Sequence, residues 1–413
     1  MPVWRTWRYR WPVAVPARLA STSALPTGAI LPSIERISEY CDELTAIRRD
    51  LHAHPEIGFE EHRTSARVAE LLAGWGIDVT TGVGRTGVVG VLDGNRPGRT
   101  VGLRADMDAL PMEEMTNLSY RSRNEGVFHG CGHDGHVTML LGAARYLAET
   151  RNFAGRVVFI FQPAEEGLGG ARAMLADGLF DRFPCDELYG LHNSPHDAHG
   201  RVRIRPGRAQ AGAGFFDIEI EGRGSHGAMP HMGVDPITIG AGLVGELQRI
   251  VARNLDPTHP AVVSVTEFHS GSAYNVIPGQ AVLRGTYRFI DLADRDLIEA
   301  RLQAISEGIA RAHEIWIGLD MRRVFDVLEN DPDRAADAIR AAAQVVGGDR
   351  ATADAELTMG SEDMADLLRV VPGAFFTLGH GSGVPLHNPG FLFDDTILPV
   401  GASIFARIVE SRG

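Results

Sequence analysis

Apolar residues recur at three- and four-residue intervals over residues 34–51 and again over 61–75, which predicts two amphipathic helices. Short β-like runs parted by glycines follow at 77–79, 87–92 and 100–104. Residues 136–150 have helical spacing. The stretch 156–162 is an almost unbroken apolar run stopped by Pro163, as in a parallel strand buried on both faces. A helix is predicted over 171–179 and a further strand over 187–192. Strands alternating with helices indicate an α/β layer fold, a mixed sheet sandwiched by helices.

The middle of the chain has a different rhythm. Strand patterns at 215–221, 261–268, 281–289 and 317–327 are interleaved with helical patterns at 236–253 and 295–313. That order, β-α-β-β-α-β, is ferredoxin-like and predicts an inserted α+β domain over 208–328. Helices at 331–346 and 361–370, a strand at 374–378 and a terminal helix from Ile397 return the chain to the first unit. The catalytic body is therefore expected to comprise 33–207 and 329–413.

Residues 1–32 do not follow these patterns. They carry Trp4, Trp7, Trp11 and four arginines, and no acid precedes Glu35. An organelle transit peptide is similarly Arg-rich and acid-poor. A secretory signal would need a longer apolar core than 11–20, which Pro12 and Pro16 interrupt. The segment is expected to be a disordered leader outside the fold.

Composition narrows the function. A formal net charge of -13 argues against nucleic acid and an anionic membrane surface as partners. All 40 basic side chains are arginine, so Schiff-base lysine chemistry is excluded. Cys41, Cys131 and Cys185 are too few and uneven for a disulfide framework, so a reducing cytoplasm is the expected location. No apolar run approaches the ~18 residues that span a bilayer.

The densest chemistry lies in His129-Gly-Cys131-Gly-His133-Asp134-Gly-His136. Cys131 and His133 stand just before a predicted helix, whose positive end favours the metal-binding thiolate. Gln162-Pro163-Ala164-Glu165-Glu166-Gly167 places two carboxylates after a buried strand, where open α/β sheets bind ligands. One carboxylate can hold a metal while the other stays free as a general base. His192 and His387 also follow predicted strands. Thiolate, imidazole and carboxylate on one sheet edge suit zinc, with Mn, Co or Ni as alternatives. Asp106 and Asp108 share a strand face, and Asp108 is a candidate to orient a ligand histidine. Two motifs are decoys. Gly82-Val-Gly84-Arg-Thr-Gly87 leads into a strand, whereas a dinucleotide site needs a helix there. Gly224-Ser225-His226-Gly227 has His at the third position, where the G-x-S-x-G nucleophile elbow needs Ser.

Taken together, the motifs resemble the metal-dependent aminoacylase and amidohydrolase family that includes bacterial hippurate hydrolases and plant indole-acetyl-amino-acid hydrolases. The resemblance runs from about residue 34 to the end. It rests on Leu51-His-Ala-His-Pro-Glu56, Leu103-Arg-Ala-Asp-Met-Asp108, His129-Gly-Cys-Gly-His-Asp134, Gln162-Pro-Ala-Glu-Glu-Gly167, Gly224-Ser-His-Gly-Ala-Met-Pro-His231, Asn275-Val-Ile-Pro278 and Leu386-His-Asn388. It implies a metallo-aminopeptidase-like body with an inserted lid and dimerisation domain, and hence a homodimer or homotetramer. It implies two divalent metal ions (Zn, Mn, Co or Ni) held by Cys131, His133, Glu166, His192 and His387, with Glu165 as general base. It also implies that His226 polarises the carbonyl of an N-acyl amino acid, and that Asn275 and Arg288 hold the substrate carboxylate. Glycines at 207 and 212 are candidate lid hinges. The sequence departs from the family at Asn193-Ser-Pro-His196-Asp197, where a Pro-Gly turn is expected, and at Phe393-Asp394-Asp395, where Asn is usual. Both departures bear on substrate preference. A dipeptidase or carboxypeptidase on the same scaffold, and a catalytically silent metal-binding protein, are the alternatives.

Overall fold

The apolar run before Pro163 forms the strand Ala154–Gln162, near the middle of an eight-stranded sheet. The computed structural model describes residues 34–412; the leader expected over 1–32 lies outside them. The sheet order is Asp78–Val83, Gly87–Asp93, Ala154–Gln162, Arg96–Asp106, Glu187–Ser194, Gly373–Gly379, Val202–Arg203 and Ala351–Thr352. The four central strands are parallel to one another, and antiparallel pairings on both sides make the sheet mixed.

Successive side chains on a strand point to opposite faces, and here both faces are covered. Val157, Phe159 and Phe161 join a large core with the helices Cys41–Ala53, His133–Thr150, Pro332–Val346 and Leu398–Ser411. Val158 and Ile160 join a second core with Met174, Leu179, Met364 and Phe375. Double-sided burial is why this segment lacks polar alternation.

A second sheet has the order Ala261–Ser270, Gln280–Phe289, Gly212–Glu221, Trp316–Phe325, all antiparallel. The helices Pro236–Asn254 and Leu292–His313 cover one face, giving a core of Phe216, Ile218, Leu243, Leu247, Leu283, Ile298 and Leu302. This is the ferredoxin-like order read from the sequence. The opposite face is polar: Asp217 pairs with Arg322 at 2.9 Å, and Glu267 with Arg284 at 3.0 Å. The two chain crossings between the sheets run side by side, as Gly207–Gln210 pairs antiparallel with Leu328–Asn330.

Several expected elements shift. The first helix breaks at a turn into Glu35–Ser38 and Cys41–Ala53. The helix expected over 171–179 divides into Gly170–Ala176 and Leu179–Arg182 around Gly178, which has φ +76°. The helix expected over 361–370 shrinks to Met364–Leu368, because Glu362 and Asp363 are spent on buried arginine and backbone contacts. The helix expected from residue 136 begins at His133. Among the described residues, no helix is long and apolar enough to cross a membrane.

Candidate metal centre and active site

The parallel strands bring their C-terminal ends to one edge: Asp106 lies opposite Gln162, and Thr377 opposite His192. Side chains just beyond those ends therefore converge. Cys131, His133 and His192 present donor atoms within 4.8 Å of one another, as do Cys131, Glu166 and His387. The two triads share the thiol. His192 Nε2 is 3.4 Å from Cys131 Sγ, and His387 Nε2 is 3.2 Å from Glu166 Oε1. All five residues expected to ligate metal thus meet in one place. His192 lies inside its strand rather than after it, and His387 sits in the loop beyond Gly373–Gly379 with 53% of its side chain exposed.

The imidazole tautomers follow from their partners. His133 Nδ1–H donates to the Asp108 carbonyl at 2.9 Å, and His192 Nδ1–H to the Asn193 carbonyl at 2.8 Å. Each Nε2 lone pair is left facing the cluster. His133 Nε2 is buried and has no hydrogen-bond partner in the protein. A buried imidazole nitrogen without a partner is costly, and a cation beside it would satisfy it. The S, N and O donors are those of a borderline divalent cation. On both grounds the residues fit the metal pair that the resemblance implies.

A shell of hydrogen bonds orders this set. The Asn193 N–H donates to His136 Nε2 at 3.0 Å, and His136 Nδ1–H donates to Asp106 Oδ1 at 2.6 Å. Asn193 Nδ2–H donates to the Cys131 carbonyl at 2.6 Å, while Asn193 Oδ1 accepts from His380 Nε2 at 3.0 Å. Gly132, between Cys131 and His133, has φ +88°, and a Cβ there would lie 2.4 Å from Asn193 Nδ2. Only glycine allows the chain to turn this close. Asp108 lies beside His133 as expected, with Oδ1 3.3 Å from Nδ1; its Oδ2 accepts the Glu166 N–H at 3.0 Å.

Glu165 has a carboxylate oxygen within 4.8 Å of donor atoms of both His133 and Glu166. It is buried against Glu362 and Asp363, and its Oε1 is 3.4 Å from the Asp363 N–H. Burial, then the charges of Glu362 and Glu166, push its carboxyl well above the usual range. Burial also opposes charge on Glu166, but Glu166 is held below its usual value, with the His387 hydrogen bond the largest opposing cause. Burial and the Glu166 charge push the Cys131 thiol up.

Behind the carboxylates sits Arg104, which the sequence reading passed over. Its guanidinium is buried and donates to Gln162 at 2.8 Å, Asp106 at 2.7 Å, Glu362 at 2.8 Å and Asp363 at 3.0 Å. An arginine inside an otherwise apolar strand was the available signal, since such a charge requires buried acids nearby. Glu362 and Asp363 gave none, because they read as the start of a helix.

The remaining expected residues are elsewhere. His226 is exposed on a two-stranded arm with Val276–Ile277, and its Nδ1 accepts the Ala228 N–H at 3.1 Å. It lines an open cleft with Asn275 and His269, and no cluster residue lines that cleft. Arg288 lies at the other end of Gln280–Phe289, opposite Ala213. At about 3.4 Å per residue, Gln280 and Arg288 are roughly 27 Å apart, so Asn275 and Arg288 of one chain cannot grip the same small molecule. Both aspartates of the departing Phe393-Asp394-Asp395 stretch are engaged structurally. Asp395 pairs with Arg48 at 2.6 Å and Arg49 at 2.8 Å, and Asp394 accepts from the Thr396 N–H at 3.0 Å.

Residues 102–411 match the peptidase family M20/M25/M40. The chain belongs to that family. It is a hydrolase acting on amide bonds, as the sequence reading expected. A hippurate hydrolase of Campylobacter jejuni is 40% identical over 91% of this chain and 98% of its own length. A thermostable carboxypeptidase of Saccharolobus solfataricus is 37% identical over 90% of this chain and 96% of its own. Among solved M20 structures, a Bacillus subtilis protein described as a dinuclear metal binding peptidase superposes with a TM-score of 0.77 at 31% identity, covering 91% of this chain and 98% of that one.

Proposed function

We propose that the protein hydrolyses the amide bond of small N-acyl amino acids, with divalent metals held by Cys131, His133, Glu166, His192 and His387. One observation supports this reading above the others: beside the donors Cys131, His133, Glu166, His192 and His387 stands a further buried carboxylate, Glu165, which has an oxygen within 4.8 Å of donor atoms of His133 and Glu166 but belongs to neither triad that shares Cys131. A binding or storage site has no need of such a group. The 40% identity to a hippurate hydrolase supports the N-acyl amino acid class.

When bound, the metals supply Lewis acidity, bringing the pKa of a water to about 7 from the free value of about 15.7. Glu165 takes the proton of the attacking water and passes it to the departing amine. Asp108 keeps His133 in its Nδ1–H tautomer and pins the Glu166 backbone. His226 donates to the developing oxyanion once residues 208–328, read as a lid and dimer surface, bring it to the cluster. Gly207, at φ +74°, and the paired crossings at 207–210 and 328–330 are the place for that motion. Arg288, half-buried near the crossings, is the better placed of the two candidates for the substrate carboxylate.

Chelator-stripped protein is expected to be inactive on hippurate, N-acetyl and indole-acetyl amino acids and to recover with Zn, Mn or Co. Full activity of metal-free protein, confirmed by elemental analysis, overturns the reading. The carboxypeptidase relative favours a second reading on the same site. Faster turnover of Gly-Leu than of hippurate would establish it instead.

A further inference from the structure

Glu61 is a fully buried carboxylate that the mechanism above does not use. Its oxygens take neutral donors: Oε2 accepts the Thr86 hydroxyl at 2.5 Å, and Oε1 accepts the Ala164 N–H at 2.8 Å. Burying a carboxylate against neutral donors is expensive, so its position calls for a reason. Ala164 supplies one. It immediately precedes Glu165 and has φ +54°, a left-handed conformation that L residues rarely hold without surrounding support. Gly58 also packs closely against it: a Cβ at that position would lie 2.9 Å from the Ala164 Cβ. Two other carboxylates hold the rest of the turn. Asp108 Oδ2 accepts the Glu166 N–H at 3.0 Å, and Asp363 Oδ2 accepts the Ala171 N–H at 2.9 Å.

We propose that Glu61 is a positioning residue for the reaction, fixing the left-handed Ala164 so that Glu165 turns toward Asp363 and Glu166 toward Cys131 and His387. The proposal rests on the roles assigned above to Glu165 and Glu166. Release of Ala164 would let both side chains swing, moving the base and one metal donor together. A displacement of about 1 Å in a reacting group costs on the order of 100-fold in rate. Substrate contacts lie elsewhere, so the loss falls on kcat.

The test compares Glu61→Leu with Glu61→Gln, whose amide oxygen still accepts from Ala164 while its NH₂ donates to the Thr86 hydroxyl. Glu61→Leu should lower kcat on hippurate about 100-fold, leave KM within about threefold, and alter the visible absorption spectrum of the cobalt(II)-loaded protein. Glu61→Gln should restore the wild-type spectrum and most of kcat. If Glu61→Leu does not fold, Glu61→Asp, which withdraws the carboxylate by one methylene, should show the same kcat loss and spectral change. A folded Leu or Asp variant with wild-type kcat and spectrum overturns the proposal, and so does a Gln variant as impaired as Leu. If the wild type cleaves no N-acyl amino acid, the proposed function fails, while the cobalt spectra still decide the role of Glu61.

Discussion

The donor cluster and the His226 arm differ in how much of their geometry the fold has already settled. At the cluster, Cys131, His133 and Glu165 are buried, and Asp108 and Asn193 fix the orientation of the neighbouring groups. On the arm, His226 is exposed and holds one backbone N–H. The first region is preorganised for charge and proton chemistry, while the second has to be delivered to it by closure or assembly. Substitutions of the metal donors should therefore disturb metal, stability and turnover together, and substitutions on the arm should disturb turnover alone.

The largest effect tests the cluster's free base. Glu165→Gln is expected to keep its metal by elemental analysis and to lose about 10²–10⁴-fold in kcat; full activity would remove Glu165 from that role. Arg104→Met leaves Asp106, Glu362 and Asp363 without their shared cation and should lower unfolding stability by about 3–5 kcal/mol, read by denaturant titration. His226→Ala sharpens the contrast: kcat should fall about 10²–10³-fold, with metal content and melting temperature unchanged. A loss of metal in that variant would mean the arm is part of the cluster. Asp108→Ala should weaken metal binding about 10–100-fold in a competitive chelator titration. The smallest effect belongs to the solvated lid face, where Arg322→Ala should change stability by less than about 1 kcal/mol.

The difference between the regions also governed what the sequence could reveal. The strand ending at Gln162 was legible because double-sided burial writes an unbroken apolar run, and the β-α-β-β-α-β order because its strands alternate over a single core. Cys131, His133, Glu165 and Glu166 were legible because their residue types cluster within short motifs. Arg104, charged within an apolar strand, signalled that buried acids lay nearby, but Glu362 and Asp363 could not be picked out as those acids: the partnership spans a sequence separation of 258 residues, and local spacing does not identify them. The break near Tyr40 was also hidden, since apolar periodicity continues across the turn. Asn275 and Arg288 were grouped by resemblance, and only the strand register separates them.

The most direct test of the account is an anomalous-diffraction measurement on crystals of metal-loaded protein. Two anomalous peaks are expected per chain, enclosed by Cys131, His133, Glu166, His192 and His387, with Glu165 coordinated to neither. Peaks located elsewhere, or Glu165 bound directly to a metal, would contradict it.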